Sequence, residues 1–237
     1  GAGNRRLQGI TAVYAYDDMG MIAVLEDGHL NDVRTAAPTG VAARHLSNPD
    51  SSELAIIGTG ELAAGQLAAV CAVRPIKRIR AYSRTPEHVT RFASTAGELL
   101  QREIVPCASG EEAVADADIV ITITNARQPV IDRSWIARGT TVLCIAILDS
   151  RVVTTSVQRL LDPGEKIEPF LMLVSQGRFG PADVVELGDV VIGKAQGRRN
   201  PEELITFIST GSPHWDVAVP MMAVRRAQRL GIGLEWP

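Results

Sequence analysis

The sequence predicts an α/β protein built around a doubly wound parallel sheet, with a second, smaller α+β domain. From residue 54 onward, short apolar segments alternate with helix-like segments, which is typical of βαβ units. Several segments, such as "IVITIT", are unbroken by any charged residue, as expected for strands covered on both faces. In "LAIIGTGELAAG" an apolar strand leads into a Gly-x-Gly turn and then a helix. Together these features indicate a Rossmann-type fold.

A β-hairpin and a helix are predicted before the alternating region. "ITAVYAYDDMGMIAVLEDG" has two apolar runs around the turn residues Asp17-Asp18-Met19-Gly20. "LNDVRTAAPTGVAARHL" predicts a helix with Asn31 as its N-cap, which Pro38 and Gly40 should kink or interrupt. The turn-rich segment "SNPDSS" (47–52) predicts a domain boundary.

The alternating region gives a series of strand and helix predictions. The predicted strands are Leu54–Gly58, Arg78–Ser83, Glu103–Cys107, Asp118–Thr124, Thr141–Leu148, Phe170–Val174 and Leu204–Ile208. Helices are predicted at Glu61–Val73, Pro86–Leu100 and Gly110–Ala115. Near the end, "DVAVPMMAVRRAQRLGIG" predicts an amphipathic helix that stops at Gly231.

The composition excludes several classes of protein. A net charge of −3 provides no basic field for nucleic acid, and no apolar run is long enough for a membrane span. The cysteines Cys71, Cys107 and Cys144 lie far apart without a CxxC pair, which argues against a metal site and favours a reducing cytoplasm. The abrupt opening "GAGNRRLQ" leads us to expect a chain shortened at its N-terminus.

The glycine turn is a candidate site for a dinucleotide phosphate. Gly58 ends a predicted strand, Gly60 permits close approach of a pyrophosphate, and Ala63 is small enough for close helix–strand packing. The N-terminus of the following helix adds N–H groups and a positive dipole end. The motif alone also fits a tight turn that holds no ligand.

The end of the second strand bears on the choice of cofactor. NAD-preferring folds place Asp or Glu about 20 residues beyond the glycine turn, to bind the ribose hydroxyls. This chain has Ser83, Arg84 and Thr85 there, whose hydroxyls and guanidinium suit a 2′-phosphate. A surface arginine after a strand is the alternative. The sequence therefore favours NADP(H), with NAD(H) as the other candidate.

With these segments in place, the sequence resembles the ornithine cyclodeaminase/mu-crystallin family. The resemblance runs from "VLEDGHLNDVRTAA" through the glycine turn and "AYSRT" to "EEAVADADIVITIT" and "PVIDRSWIARGTTV". It continues in "ELGDVVIGKAQGRR" and "ELITFISTGSPHWDVAVPMMAVRRAQRLGIG". It implies a Rossmann domain at 47–212, and a dimerisation and substrate domain at 1–46 completed by the helix region 213–237. It also implies a homodimer and a small amino-acid or imine substrate.

The resemblance further implies roles for individual residues. Arg34 matches the family arginine that binds the substrate carboxylate, and Asp149 matches the aspartate beside the nicotinamide, a candidate general acid/base. Asp149 also fits a plain turn at a strand end. Thr210 is expected to line the substrate pocket. The residues expected to bind the cofactor are Gly58, Thr59, Gly60, Glu61, Leu62, Ser83, Arg84, Thr85, Thr124, Asn125, Ser209 and Gly211.

The cluster His214-Trp215-Asp216 looks catalytic but has a simpler interpretation. Asp216 matches a family position that opens the last helix, where an acid complements the helix dipole. His214 is accordingly expected to have no catalytic role.

The sequence departs from the family pattern around Asp149. Ile147 and Leu148 precede it where the family usually has a glycine two residues earlier, and the Pro-Gly-Lys-x-Glu-like run that usually follows is missing. None of the lysines Lys77, Lys166 and Lys194 matches the family's substrate lysine. Two hypotheses follow: an NADP(H)-dependent cyclodeaminase or imine reductase, or an NADPH-binding protein without turnover.

Overall fold

A computed structural model describes residues 9–126, 130–144, 151–154, 184–209 and 211–234. The chain divides into two compact units. The first consists of Gly1–Thr35 and Gly211–Pro237, and the second of Ala36–Thr210. The domain limits predicted from the sequence, 1–46 with 213–237 and 47–212, stay predictions.

The first unit begins with an antiparallel hairpin. Strands β1 (Ile10–Tyr14) and β2 (Met21–Glu26) pair from Ile10 opposite Glu26 onward. Asp18 accepts a hydrogen bond from the backbone N–H of Gly20 at 2.8 Å, which stabilises the turn. At the open end, the Thr11 hydroxyl donates to Asp27 at 3.0 Å. The predicted hairpin is therefore present.

Helix α1 (Gly28–Leu46) continues through Pro38 and Gly40, so the interruption predicted there as an alternative to a kink is wrong, and the kink stays a prediction. Proline removes only one helical N–H, and the alanines around it keep a high helix propensity. Gly40 packs closely against Ala69: a β-carbon there would lie 3.0 Å from the carbonyl oxygen of that residue. The N-cap prediction at Asn31 is also wrong, because its N–H already donates to Asp27 at 2.7 Å as part of the helix.

The last helix of the chain closes the first unit. This helix, α6, spans Pro213–Leu230 and has Ser212 as its N-cap. Pro213 lies in the first turn, where proline costs no hydrogen bond. Its C-cap is Gly231 in the left-handed conformation, with φ of +62°. The predicted stop at Gly231 is therefore confirmed.

The second unit contains an eight-stranded sheet whose described strand pairs are all parallel. Its strands are β3 (Glu53–Ile57), β4 (Arg78–Tyr82), β5 (Ile104–Pro106), β6 (Ile119–Thr122), β7 (Thr141–Cys144), β8 (Arg151–Thr154), β9 (Val184–Glu186) and β10 (Ile205–Ile208). They lie in the order β5-β4-β3-β6-β7-β10-β8-β9. The described α-helices of this unit are α2 (Ala63–Cys71), α3 (Pro86–Leu100), α4 (Gly110–Val114) and α5 (Leu187–Val191), together with the C-terminal half of α1.

Both faces of this sheet are covered. Leu54 and Ile56 of β3 point into one buried cluster, and Ala55 and Ile57 point into the other. Because successive strand residues face opposite sides, an unbroken apolar strand indicates two packed faces. The strand order reverses direction between β3 and β6, so this is the switch point of a doubly wound sheet. The predicted fold class is confirmed.

Some predictions differ from the structure or lie outside its described part. Strands β8 and β9 and helix α5, which are segments of three to five residues, were not predicted. Of the predicted strand at 141–148, residues 145–148 lie outside the described residues, as does the predicted strand at 170–174. Among the described helices, none is long and apolar enough to cross a lipid bilayer.

Candidate cofactor-binding site

The carboxyl ends of the central strands gather most of the predicted cofactor-binding residues. Gly58 follows β3, Ser83 follows β4, Ile123 follows β6 and Ser209 follows β10. Since these strands are parallel, their carboxyl ends meet at one edge of the sheet. In open α/β sheets this edge, at the switch point between β3 and β6, is where ligands bind.

The turn after β3 passes against the end of β6 at Gly58. Its φ of +107° is a conformation that residues with a side chain rarely adopt. A β-carbon at this position would overlap the carbonyl oxygen of Ile123 and lie 3.0 Å from Cγ2 of Thr124. The N–H of Gly58 donates to the carbonyl of Tyr82 at 2.8 Å, which joins the turn to β4. Glycine is therefore required here by the fold itself.

Gly60 is different, because the space beside it is empty. It is exposed, and a β-carbon there would meet no protein atom within 4 Å. Glu61 and Leu62 lead from it into α2, and Leu62, the N-cap, makes no side-chain hydrogen bond to the helix. The first turn of α2 holds no acidic residue, and Ala63 is fully buried against the sheet. The turn therefore fits a phosphate group, which would face the positive end of α2.

Thr59 and Ser83 connect the turn to the end of β4. The Thr59 hydroxyl donates to Oγ of Ser83 at 3.0 Å, and the Ser83 hydroxyl reaches the carbonyl of Thr85 at 3.5 Å. Arg84 and Thr85 are exposed, and no described acidic side chain pairs with Arg84. The strand end thus offers hydroxyls and a guanidinium, and no carboxylate.

Thr124 and Asn125 lie on the other side of the turn, after β6. Thr124 is half-buried and accepts a hydrogen bond from the backbone N–H of Ala126 at 3.2 Å, while Asn125 is exposed. Ser209 is half-buried at the end of β10. Gly211, with φ of +79°, belongs to the first unit. Thr210 lies outside the described residues.

The predicted substrate-binding residue Arg34 lies in the first unit, where it forms an ion pair with Asp216. Asp216 is in the first turn of α6, as the dipole interpretation requires. His214 lies 3.1 Å from the Ser212 hydroxyl through Nδ1 and is exposed. The predicted catalytic residue Asp149 lies outside the described residues. The structure therefore brings together the cofactor residues of the glycine turn, β4 and β6.

Sequence reasoning missed the arginine that holds α1 against the sheet. Arg198 donates through Nε to the carbonyl of Leu46 at 2.7 Å, through Nη2 to the Thr141 hydroxyl at 2.7 Å, and through Nη1 to the carbonyl of Glu203 at 2.6 Å. Carbonyls at a helix C-terminus lack helical partners, and a guanidinium can satisfy several of them at once. The only sequence signal for this role is its place in the family-like block "GKAQGRR".

Cys71 and Cys107 are not reactive groups of this site. Burial raises the pKa of the Cys71 thiol, although the positive charge of Arg102 opposes the shift. Burial and the nearby Glu112 carboxylate raise the pKa of the Cys107 thiol. Because the thiolate is the reactive form, both thiols are expected to be inert near neutral pH. Within the described residues there is also no group of three His, Cys, Asp or Glu side chains that could hold a metal ion.

Comparison with known proteins decides the family. The sequence model of the ornithine cyclodeaminase/mu-crystallin family matches residues 7–229. The chain belongs to this family. The sequence blocks predicted this membership, and the match confirms it.

Individual relatives of the family show the same likeness. The chain is 31% identical to a Δ1-pyrroline-2-carboxylate reductase of Bacillus cereus over an alignment of 247 positions, and the match covers 98% of this chain and 74% of the relative. The structure of Thermococcus litoralis Δ1-pyrroline-2-carboxylate reductase in complex with NADH and L-proline is similar with a TM-score of 0.88 and 28% identity. That likeness covers 96% of this chain and 74% of the other. An archaeal alanine dehydrogenase dimer with bound NAD gives a TM-score of 0.85 and 26% identity over 96% and 73% of the two chains.

Proposed function

We propose that this chain is a nicotinamide-dependent reductase of a cyclic imine carboxylate, of the Δ1-pyrroline-2-carboxylate type. One observation carries the proposal: in the glycine turn at the switch point, Gly58 packs against the backbone of Ile123, whereas no protein atom lies within 4 Å of a β-carbon built on Gly60. That shape accommodates a pyrophosphate at the start of α2. The enzyme class is supported by the relatives, which include reductases of this imine and an alanine dehydrogenase.

The chain's own residues supply binding and proton transfer. The backbone of the turn from Gly58 to Leu62 would hold the pyrophosphate, and Thr124 and Ser209, at the same edge of the sheet, would contact other parts of the cofactor. When bound, the nicotinamide supplies a hydride to the imine carbon. Arg34 binds the substrate carboxylate through paired N–H groups. Asp149, placed beside the imine by the family resemblance, is the proposed proton donor to the nitrogen, which becomes basic as the carbon is reduced.

The preferred cofactor is NADP(H) in this proposal. The end of β4 carries the exposed Arg84 and Thr85, and its Ser83 hydroxyl is held by Thr59 at 3.0 Å. A carboxylate there would repel a 2′-phosphate, whereas a guanidinium pairs with it. Arg84→Ala should weaken NADPH binding about tenfold or more and change NADH binding less than about twofold, as measured by fluorescence titration. Arg91→Ala, which removes an exposed arginine of α3, is the matched control. Equal losses for NADPH and NADH in Arg84→Ala would exclude the 2′-phosphate role.

A substrate panel tests the reaction. The protein is incubated with NADPH or NADH and Δ1-pyrroline-2-carboxylate, and separately with NAD⁺ or NADP⁺ and ornithine, lysine or alanine. Loss of reduced cofactor with formation of proline is the expected result. Conversion of ornithine to proline without net change in the cofactor would instead indicate the cyclodeaminase of the same family. Tight NADPH binding with no turnover would favour the binding protein, the hypothesis suggested by Ile147 and Leu148 before Asp149.

We also propose that the protein is a homodimer that uses the hairpin of the first unit. The hairpin exposes several large apolar side chains: Ile10 at 66%, Tyr14 at 53%, Met21 at 49% and Val24 at 53%. Contiguous exposed apolar side chains of this kind mark interaction surfaces. A relative in the family has been described as a dimer. Light scattering after size-exclusion chromatography should give twice the chain mass, and Tyr14→Lys with Val24→Lys should give the monomer.

A further inference from the structure

An ion pair joins two residues that lie far apart in the sequence but within the first unit. Nε of Arg34, on α1, lies 3.3 Å from Oδ1 of Asp216, in the first turn of α6. The side chains are 35% and 57% exposed. A partly exposed pair contributes little to stability, because water already solvates both charges. A role in orienting the arginine explains the pair better than a role in folding does.

The point of contact determines which part of the guanidinium stays available. A guanidinium has two edges that can hold a carboxylate with two parallel hydrogen bonds, one formed by Nε with a terminal nitrogen and the other by Nη1 with Nη2. Asp216 lies against Nε and so covers the first edge. The edge formed by Nη1 and Nη2 is not covered by Asp216 and stays available to a second carboxylate.

We propose that Asp216 is a positioning residue: it holds Arg34 by Nε, so that Nη1 and Nη2 receive the substrate carboxylate end-on. The inference rests on the proposed function, since it assumes that Arg34 binds that carboxylate. In this proposal Asp216 acts through Arg34 and needs no contact of its own with substrate or cofactor. Its charge also partly neutralises the guanidinium, which limits the binding of unrelated anions at the site.

The polar groups beside Asp216 at the start of α6 do not pair with Arg34 in the described chain, so the Asp216 carboxylate alone can orient the guanidinium. Ser212 and His214, in the same helix start, pair with each other at 3.1 Å. Among the described residues, Asp216 is the acidic group that pairs with Arg34. An acid in the first turn can complement a helix dipole without pairing with an arginine, as Glu87 of α3 does in the described chain. The dipole therefore does not explain why Asp216 pairs with Arg34. Glu87 therefore provides a control for the dipole effect.

The test measures inhibition by pyrrole-2-carboxylate, a planar analogue of the imine carboxylate, together with the KM for Δ1-pyrroline-2-carboxylate. Asp216→Asn is expected to raise the inhibition constant of the analogue and the KM for the substrate about tenfold each. Its kcat and its Kd for NADPH should stay within about twofold of the original values, because Arg34 acts in binding only. Asp216→Glu should restore most of the affinity, and Glu87→Gln should change none of these constants. Asp216→Ser, a second variant without the carboxylate, should show the same loss of affinity. Thermal unfolding of each variant checks that the loss does not come from a general loss of structure.

The possible failures are distinguishable. If Arg34→Ala abolishes analogue binding while Asp216→Asn and Asp216→Ser bind it normally, Asp216 has no positioning role and the inference is wrong. If Arg34→Ala also binds the analogue normally, the proposed role of Arg34 fails, and the inference fails with it. A fall in kcat and NADPH affinity in Asp216→Asn that Asp216→Glu does not rescue would indicate a structural role and would equally overturn the proposal.

Discussion

A β-carbon on Gly58 would lie 2.8 Å from the carbonyl carbon of Ile123 and overlap its oxygen. The turn after β3 and the end of β6 therefore cross at a distance that only glycine allows. This crossing holds the glycine turn at the switch point of the sheet, beside the positive end of α2. Two neighbouring glycines of one motif consequently have different tasks, and the difference can be measured.

Gly58→Ala is expected to destabilise the protein. The new methyl group meets backbone atoms of Ile123, which cannot rotate away as a side chain can. The backbone φ of +107° at position 58 is also strained for alanine. We expect a loss of about 3 kcal/mol in the free energy of unfolding, measured by urea denaturation without cofactor. A variant as stable as the original protein would show that the turn does not pack against β6 as described.

Gly60→Val is expected to weaken cofactor binding without destabilising the fold. Gly60 is exposed, and a β-carbon there meets no protein atom within 4 Å. A bound pyrophosphate, which approaches the backbone closely at this position, would be crowded by the added side chain. Calorimetric titration with NADPH should show at least about a tenfold higher Kd, with the unfolding midpoint nearly unchanged. Normal NADPH affinity in this variant would rule out a pyrophosphate at the turn.

Arg198→Ala is expected to destabilise the second unit. The substitution removes donors to the carbonyls of Leu46 and Glu203 and to the Thr141 hydroxyl, which lie in the partly buried contact of α1 with the sheet. Losing several such hydrogen bonds should cost about 2–4 kcal/mol of unfolding free energy. Arg138→Ala is the control, because its ion pair with Glu202 joins two exposed side chains. An exposed pair of this kind is worth about 0–1 kcal/mol. Equal effects of the two substitutions would contradict the role assigned to Arg198.

Stability is expected to fall in alkaline solution through the thiols of Cys71 and Cys107. Burial raises their pKa above the ordinary value of 9.0, so the folded chain keeps these protons when the unfolded chain loses them. Their stabilising contribution is therefore complete below the unfolded pKa and declines as the pH rises through it toward the folded pKa. Urea denaturation at about pH 8 and about pH 10 should show a smaller decline in Cys71→Ala/Cys107→Ala than in the original protein. An identical decline would assign the effect to other groups.

The sheet and the glycine turn could be predicted from the sequence because their signals are local. Continuous apolar runs such as "LAII" predict a strand with two covered faces, and Gly58 ends such a run at the point where the chain must turn. The continuity of α1 could not be predicted in this way, since the local cost of Pro38 is visible in the sequence and its tertiary packing is not. Gly40 likewise breaks helices in isolation, yet here it permits contact with Ala69.

The contacts of the charged residues leave no local signal. Arg34 and Asp216 meet only after the chain has folded, and a partly exposed charge produces no periodic pattern in a sequence. The several hydrogen bonds of Arg198 likewise join three distant segments. The family resemblance identifies Arg34 as a candidate functional residue but not its partner. Roles for Asp149 and Thr210 stay predictions from that resemblance.

The central claim is hydride transfer from a nicotinamide to the imine carbon of a cyclic carboxylate. It is tested most directly with NADPH and NADH carrying deuterium at C4, in both epimers, and Δ1-pyrroline-2-carboxylate as substrate. Mass spectrometry of the product should show proline with one deuterium on its α-carbon from one epimer, and unlabelled proline from the other. The absence of deuterium on the α-carbon with both epimers of both cofactors, or the absence of proline while NADPH is bound, would contradict the claim.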